Sequence, residues 1–122
     1  MKEPPYGLCY PCSIERVIDG DTIVVRIFGY ELNVRLLDCW APEVRGVEKP
    51  DGLDSKAALI GRIHSASRYS VHIPASHGSL AEVVTLGRVL GRVFLDGEDA
   101  SEFMVANGYA TATKPTAQRR GV

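Results

Sequence analysis

Three short segments gather the side chains best suited to chemistry on an anion. V-I-D-G-D-T at Val17–Thr22 offers two carboxylates, Asp19 and Asp21. V-R-L-L-D-C-W-A-P-E at Val34–Glu43 carries Arg35, Asp38, Trp40 and Glu43. L-G-R-V-L-G-R-V-F-L-D-G at Leu86–Gly97 carries Arg88, while Arg92 in the same run reads as a surface or barrel-face residue. A guanidinium is a planar fork of donors that matches anionic oxygens bidentately, and a carboxylate can hold a cation or take a proton. Taken singly, none of these is specific. D-G-D-T is also a good turn, an arginine in a strand is usually a solvated face, and Glu43 near Arg45 and Lys49 reads as a solvated loop residue.

The elements around them are those of a small β-rich domain. S-I-E-R-V from Ser13, T-I-V-V-R-I-F from Thr22 and E-L-N-V-R-L-L from Glu31 are β-branched runs separated by short glycine-bearing breaks, which predicts a three-strand meander. Residues 38–54 read as a loop, followed by a helix capped by Asp54 or Ser55 with Leu59, Ile60 and Ile63 on its inner stripe. Strands are expected at Tyr69–Ile73 and Arg88–Leu95, with a loop between them. A second helix opens at Asp99 or Ser101 and closes at Asn107 and Gly108. The expected class is mainly β or α+β: a five-stranded OB-fold (Greek-key) barrel with two or three short helices. Residues 1–12 read as an arm, 13–110 as the domain and 111–122 as a tail.

The totals fit one such domain and exclude other classes. The chain has 122 residues, with 14 Lys and Arg against 15 Asp and Glu, so a globally basic coat is absent. Contact with nucleic acid must then come from a local cluster of arginines. Cys9 and Cys12 make half of a zinc pattern and Cys39 stands apart, so structural thiols are the simpler reading. His64, His72 and His77 lack ligand spacing. No apolar run has the length of a membrane span, and the start of the chain lacks a signal-peptide pattern; a cytoplasmic protein is expected, or a secreted one if a signal has been removed.

In this order and spacing, the three segments resemble the staphylococcal-nuclease (thermonuclease) family, whose members show D-G-D-T, then R-L-x-x-x-D-x-P-E, then Y-G-R followed by a strand and D-G. The resemblance runs from about Ser13 to Tyr109. It implies hydrolysis of DNA or RNA phosphodiesters with low sequence specificity, assisted by Ca²⁺. By motif position, Arg35 and Arg88 would neutralise charge developing on the phosphate, and Glu43 would orient or deprotonate the attacking water. The resemblance implies Asp21 as the metal ligand, with Asp19 in an outer position.

The chain departs from that pattern at the metal. Trp40 stands where the family has its second aspartate, and indole supplies neither charge nor oxygen. Asp38, two residues earlier, would point to the same side as position 40 in extended chain and is the candidate replacement. Leu86 and Thr85 replace the family's tyrosine and lysine before G-R, and the final segment is shortened to T-A-T-K-P, where Lys114 is the remaining candidate contact. Trp40 could stack on a base, which suits single strands, or pack against the barrel mouth. A module that binds nucleic acid or a protein partner without cutting is therefore the competing expectation.

Overall fold

The computed structural model describes residues 8–42, 49–73 and 88–113. They form seven strands, β1 (Leu8–Pro11), β2 (Ser13–Asp19), β3 (Thr22–Ile27), β4 (Tyr30–Leu36), β5 (Tyr69–Ile73), β6 (Arg88–Leu95) and β7 (Glu98–Asp99). The two described helices are α1 (Lys49–His64) and α2 (Ala100–Ala106). The protein is mainly β with two described helices, as expected, but the described residues hold seven strands where five were read. The additional two are β1, within the stretch taken as an arm, and the two-residue β7.

The β3–β4 hairpin follows from period-two patterning and one tight turn. Leu32, Val34 and Leu36 are buried along β4, with Leu32 paired to Val25 and Val34 to Ile23 of β3. The turn is Phe28 and Gly29, with φ of 49° and 86°; both residues are left-handed, the geometry that matches the twist of a two-residue hairpin. Ladders connect the strands in the order β1-β5-β6-β4-β3-β2, with β7 on β6. β4 and β6 run parallel; the other pairs are antiparallel. Among the described residues this is a path with two ends, not a closed ring. Those ends, β1 and β2, are consecutive in the chain, and the Cys12 N–H between them donates to the Tyr69 carbonyl at 3.1 Å.

Leu59 and Ile63 of α1 and Met104 of α2 complete the core with Val71, Ile73, Val93 and Leu95. Each such side chain contributes about 1.5–3 kcal/mol when fully buried. Helix α1 begins at Lys49, five residues before the expected cap. Pro50 in the first turn sacrifices no intrahelical hydrogen bond, and Asp51 complements the positive end of the helix, so the apparent breakers in this stretch start the helix. Helix α2 starts where expected: Asp99 caps it by accepting from the Ser101 N–H at 2.9 Å, and Asn107 ends it. No helix among the described residues is long and apolar enough to cross a membrane.

Candidate active site

The hairpin brings the first two segments into contact. Thr22 pairs with Arg35 across β3 and β4, and the Leu36 N–H donates to the Asp21 carbonyl at 2.8 Å. Gly20 lets this corner sit close to the rest of the fold. A Cβ there would lie 2.8 Å from the Cβ atoms of both Ala41 and Ser55. Asp19 stiffens the corner, because its Oδ1 accepts from the Asp21 N–H at 3.2 Å.

Asp21 is a nearly buried carboxylate. Its Oδ1 accepts from the Thr22 hydroxyl at 3.1 Å and its Oδ2 from the Ala41 N–H at 3.0 Å. Arg35 Nη2 lies 3.5 Å from Oδ2. Burial pushes the Asp21 carboxyl up to about 6, helped by the neighbouring Asp19 carboxyl and opposed by the Ala41 N–H and Arg35. The loss of solvation outweighs the single cation.

Arg35 is 13% exposed and held on three sides. Its Nη1 donates to the Leu36 and Cys39 carbonyls, both at 2.7 Å, while Nη2 faces Asp21. The guanidinium carbon lies 4.3 Å from the centroid of the Trp40 ring. Trp40 is itself anchored by its backbone, which exchanges two hydrogen bonds with Thr111 at 2.8 and 3.0 Å. Among the described residues, Nε and part of Nη2 are the Arg35 donors left for an external anion.

Of the other expected site residues, Arg88, Asp38 and Trp40 fall within the described residues. Arg88 opens β6 with its backbone paired to Asn33, two residues before Arg35 on β4, so the two arginine positions lie on adjacent strands. Glu43 and Lys114 lie outside the described residues. Asp38 does not join Asp21: it occupies the turn after β4 at φ 56° and forms an ion pair with Arg92. The expectation that positions 38 and 40 share a side assumed extended chain, and the left-handed residue breaks that alternation.

Cys39 is buried, and burial pushes its thiol and that of Cys12 up to about 12, so neither is a nucleophile at neutral pH. Ca²⁺ takes six to eight oxygens. Among the described residues, no group of three or more His, Cys, Asp or Glu side chains converges to hold a metal. Asp21 accepts one hydrogen bond at each carboxylate oxygen, and Glu43 lies outside the described residues. No protein-family model and no curated protein matches the chain.

Several participants have no motif signature. The Ala41 N–H acts through its backbone, Thr111 reaches Trp40 across a long separation, and Arg92 matched no expected catalytic position. The signal available for Arg92 was its pairing with two acids, Asp38 and Asp99, which only the fold brings within reach.

Proposed function

We propose that the chain is a phosphodiester hydrolase acting on DNA or RNA with low sequence specificity, built on an OB-type barrel of the staphylococcal-nuclease kind. The strand order β2-β3-β4-β6-β5 supports the barrel, with β1 and β2 read as one bent strand serving both ends of the sheet. The observation that carries the function is the Asp21–Arg35 pair beside the strand that begins at Arg88. Two guanidiniums on neighbouring strands would meet the charge that grows on the phosphate oxygens as water attacks, and loss of one such donor costs roughly 3–4 kcal/mol of barrier. Glu43 would take the proton of that water. It follows two residues after Ala41, which Asp21 holds through the Ala41 N–H.

A second reading is favoured by one feature, the Trp40 ring stacked on Arg35 where the family carries an acid. In that reading the module binds a single strand, or a protein partner, without cutting. The deciding assay incubates the purified chain with single- and double-stranded DNA and RNA in Ca²⁺, Mg²⁺, Mn²⁺ or chelator, beside Glu43→Gln. Cleavage lost in Glu43→Gln supports the hydrolase, and its dependence on each cation reads the metal requirement. Binding without cleavage in every condition supports the module, and cleavage unchanged in Glu43→Gln would overturn the assignment.

A further inference from the structure

Arg92 projects from β6 and is bound by two acids from different parts of the chain. Its Nη1 donates to Asp99 Oδ2 at 2.6 Å, and its Nη2 to Asp38 Oδ2. The acids are unlike. Asp99 is 4% exposed and spends its other oxygen capping α2, whereas Asp38 is 64% exposed and sits in the left-handed turn after β4. That turn is also tied to β6 by the Leu37 N–H, which donates to the Gly91 carbonyl at 2.9 Å. The next two residues supply the Cys39 carbonyl that fixes Arg35 and the Trp40 ring that covers it.

We propose that Arg92 is a positioning residue for this site, joining Asp38 to Asp99 so that the turn holds Cys39 and Trp40 against Arg35. The buried half of the link, Arg92–Asp99, is set by the packing of α2 on β6. The exposed half, Arg92–Asp38, transmits that position to the turn. Without it the turn keeps its backbone tie at Leu37 but loses the side-chain anchor at its left-handed residue, and Arg35 loses the fixed geometry of one carbonyl and one ring. Only the catalytic consequence of this link rests on the hydrolase reading.

Trp40 is the sole tryptophan of the chain, so tryptophan fluorescence reports the surroundings of this one ring. The test uses the full chain and two variants. Asp38→Gly removes the acceptor, suits the left-handed backbone and leaves the buried Arg92–Asp99 pair intact, and Arg92→Lys can still neutralise Asp99 while releasing Asp38. In both, acrylamide quenching of Trp40 is expected to rise about twofold as the cation–π cover loosens. Circular dichroism should keep the parent spectrum. Cleavage of a single-stranded DNA dodecamer should fall about tenfold in kcat with a smaller change in KM, the pattern of a lost orienting contact. Parent-like quenching in both folded variants would overturn the proposal. If the parent itself does not cleave, the hydrolase reading fails, while the quenching result still decides the role of Arg92.

Discussion

The guanidinium of Arg35 lies over the indole ring of Trp40, 4.3 Å from its centroid, while Nη2 of the same group faces Asp21 at 3.5 Å. One cation thus meets a carboxylate at Nη2 and an aromatic ring on its face. The indole ring supplies no oxygen to a cation, while the guanidinium beside it carries a positive charge.

Replacing Trp40 by aspartate should shift that balance towards a cation. A carboxylate at position 40 would add charge and oxygens near Asp21 and Asp19, and Arg35 would lose its aromatic cover. Trp40→Asp is expected to gain Ca²⁺ binding, read as a heat signal on calorimetric titration and a rise in Tm with added Ca²⁺. The parent should show a smaller Tm rise. Equal responses in the two proteins would mean that position 40 does not face the acids.

Gly20 is required by contact distances. A methyl group there would sit 2.8 Å from Ala41 Cβ and Ser55 Cβ, so either the corner or helix α1 must move. Gly20→Ala is expected to lose about 1–3 kcal/mol of stability in urea unfolding, the usual cost of forcing atoms into a packed site. Because Ala41 also donates to Asp21, the backbone amides of residues 21 and 41 should shift most in NMR spectra of the folded variant. A fully stable variant would show that the corner relaxes freely.

Ser55 ties α1 to the segment beyond α2: its hydroxyl, almost wholly buried, donates to the Tyr109 carbonyl at 2.7 Å. Ser55→Ala would leave that carbonyl without this donor and should cost about 1–2 kcal/mol in the same unfolding experiment. Since Trp40 is bridged to Thr111 two residues further on, its emission should also change. A loss of stability with no change at Trp40 would mean that the two ties act independently.

What was legible in the sequence was whatever depends on local pattern. The β3–β4 hairpin followed from alternation about Gly29, and α2 from Asp99 at one end and Asn107 and Gly108 at the other. The start of α1 was misread because Pro50 and Gly52 look like breakers, although a proline in the first turn costs a helix nothing. Strand β1 was missed because a proline-rich arm does not announce that β5 will pair with it. At the site, the approach of Asp21 to Arg35 follows from the pairing of β3 with β4 that the expected meander implied. The commitment of Asp38 to Arg92 could not be read that way, since it depends on a left-handed turn and on a partner 54 positions away.

The buried carboxyl of Asp21 should leave a mark on stability across acid pH. Its folded form titrates near 6, above the ordinary aspartate range near about 4, because burial penalises the charge more than Arg35 and the Ala41 N–H relieve it. Between those two values the folded protein holds this proton while the unfolded chain releases it, so the group's contribution is fully present below about 4 and is lost as pH rises to about 6. The loss amounts to between about 1 and 3 kcal/mol, set by the size of the shift. Asp21→Asn removes the titration; its one side-chain oxygen can still accept from the Ala41 N–H, and its amide can donate to the Thr22 hydroxyl. Its stability relative to the parent should therefore improve as pH is raised from 4 to 7, whatever fixed offset the substitution carries. Urea unfolding of both proteins at several pH values measures that difference. A flat difference would mean that Asp21 ionises as an ordinary surface acid, and a difference moving the other way would mean that Arg35 outweighs burial.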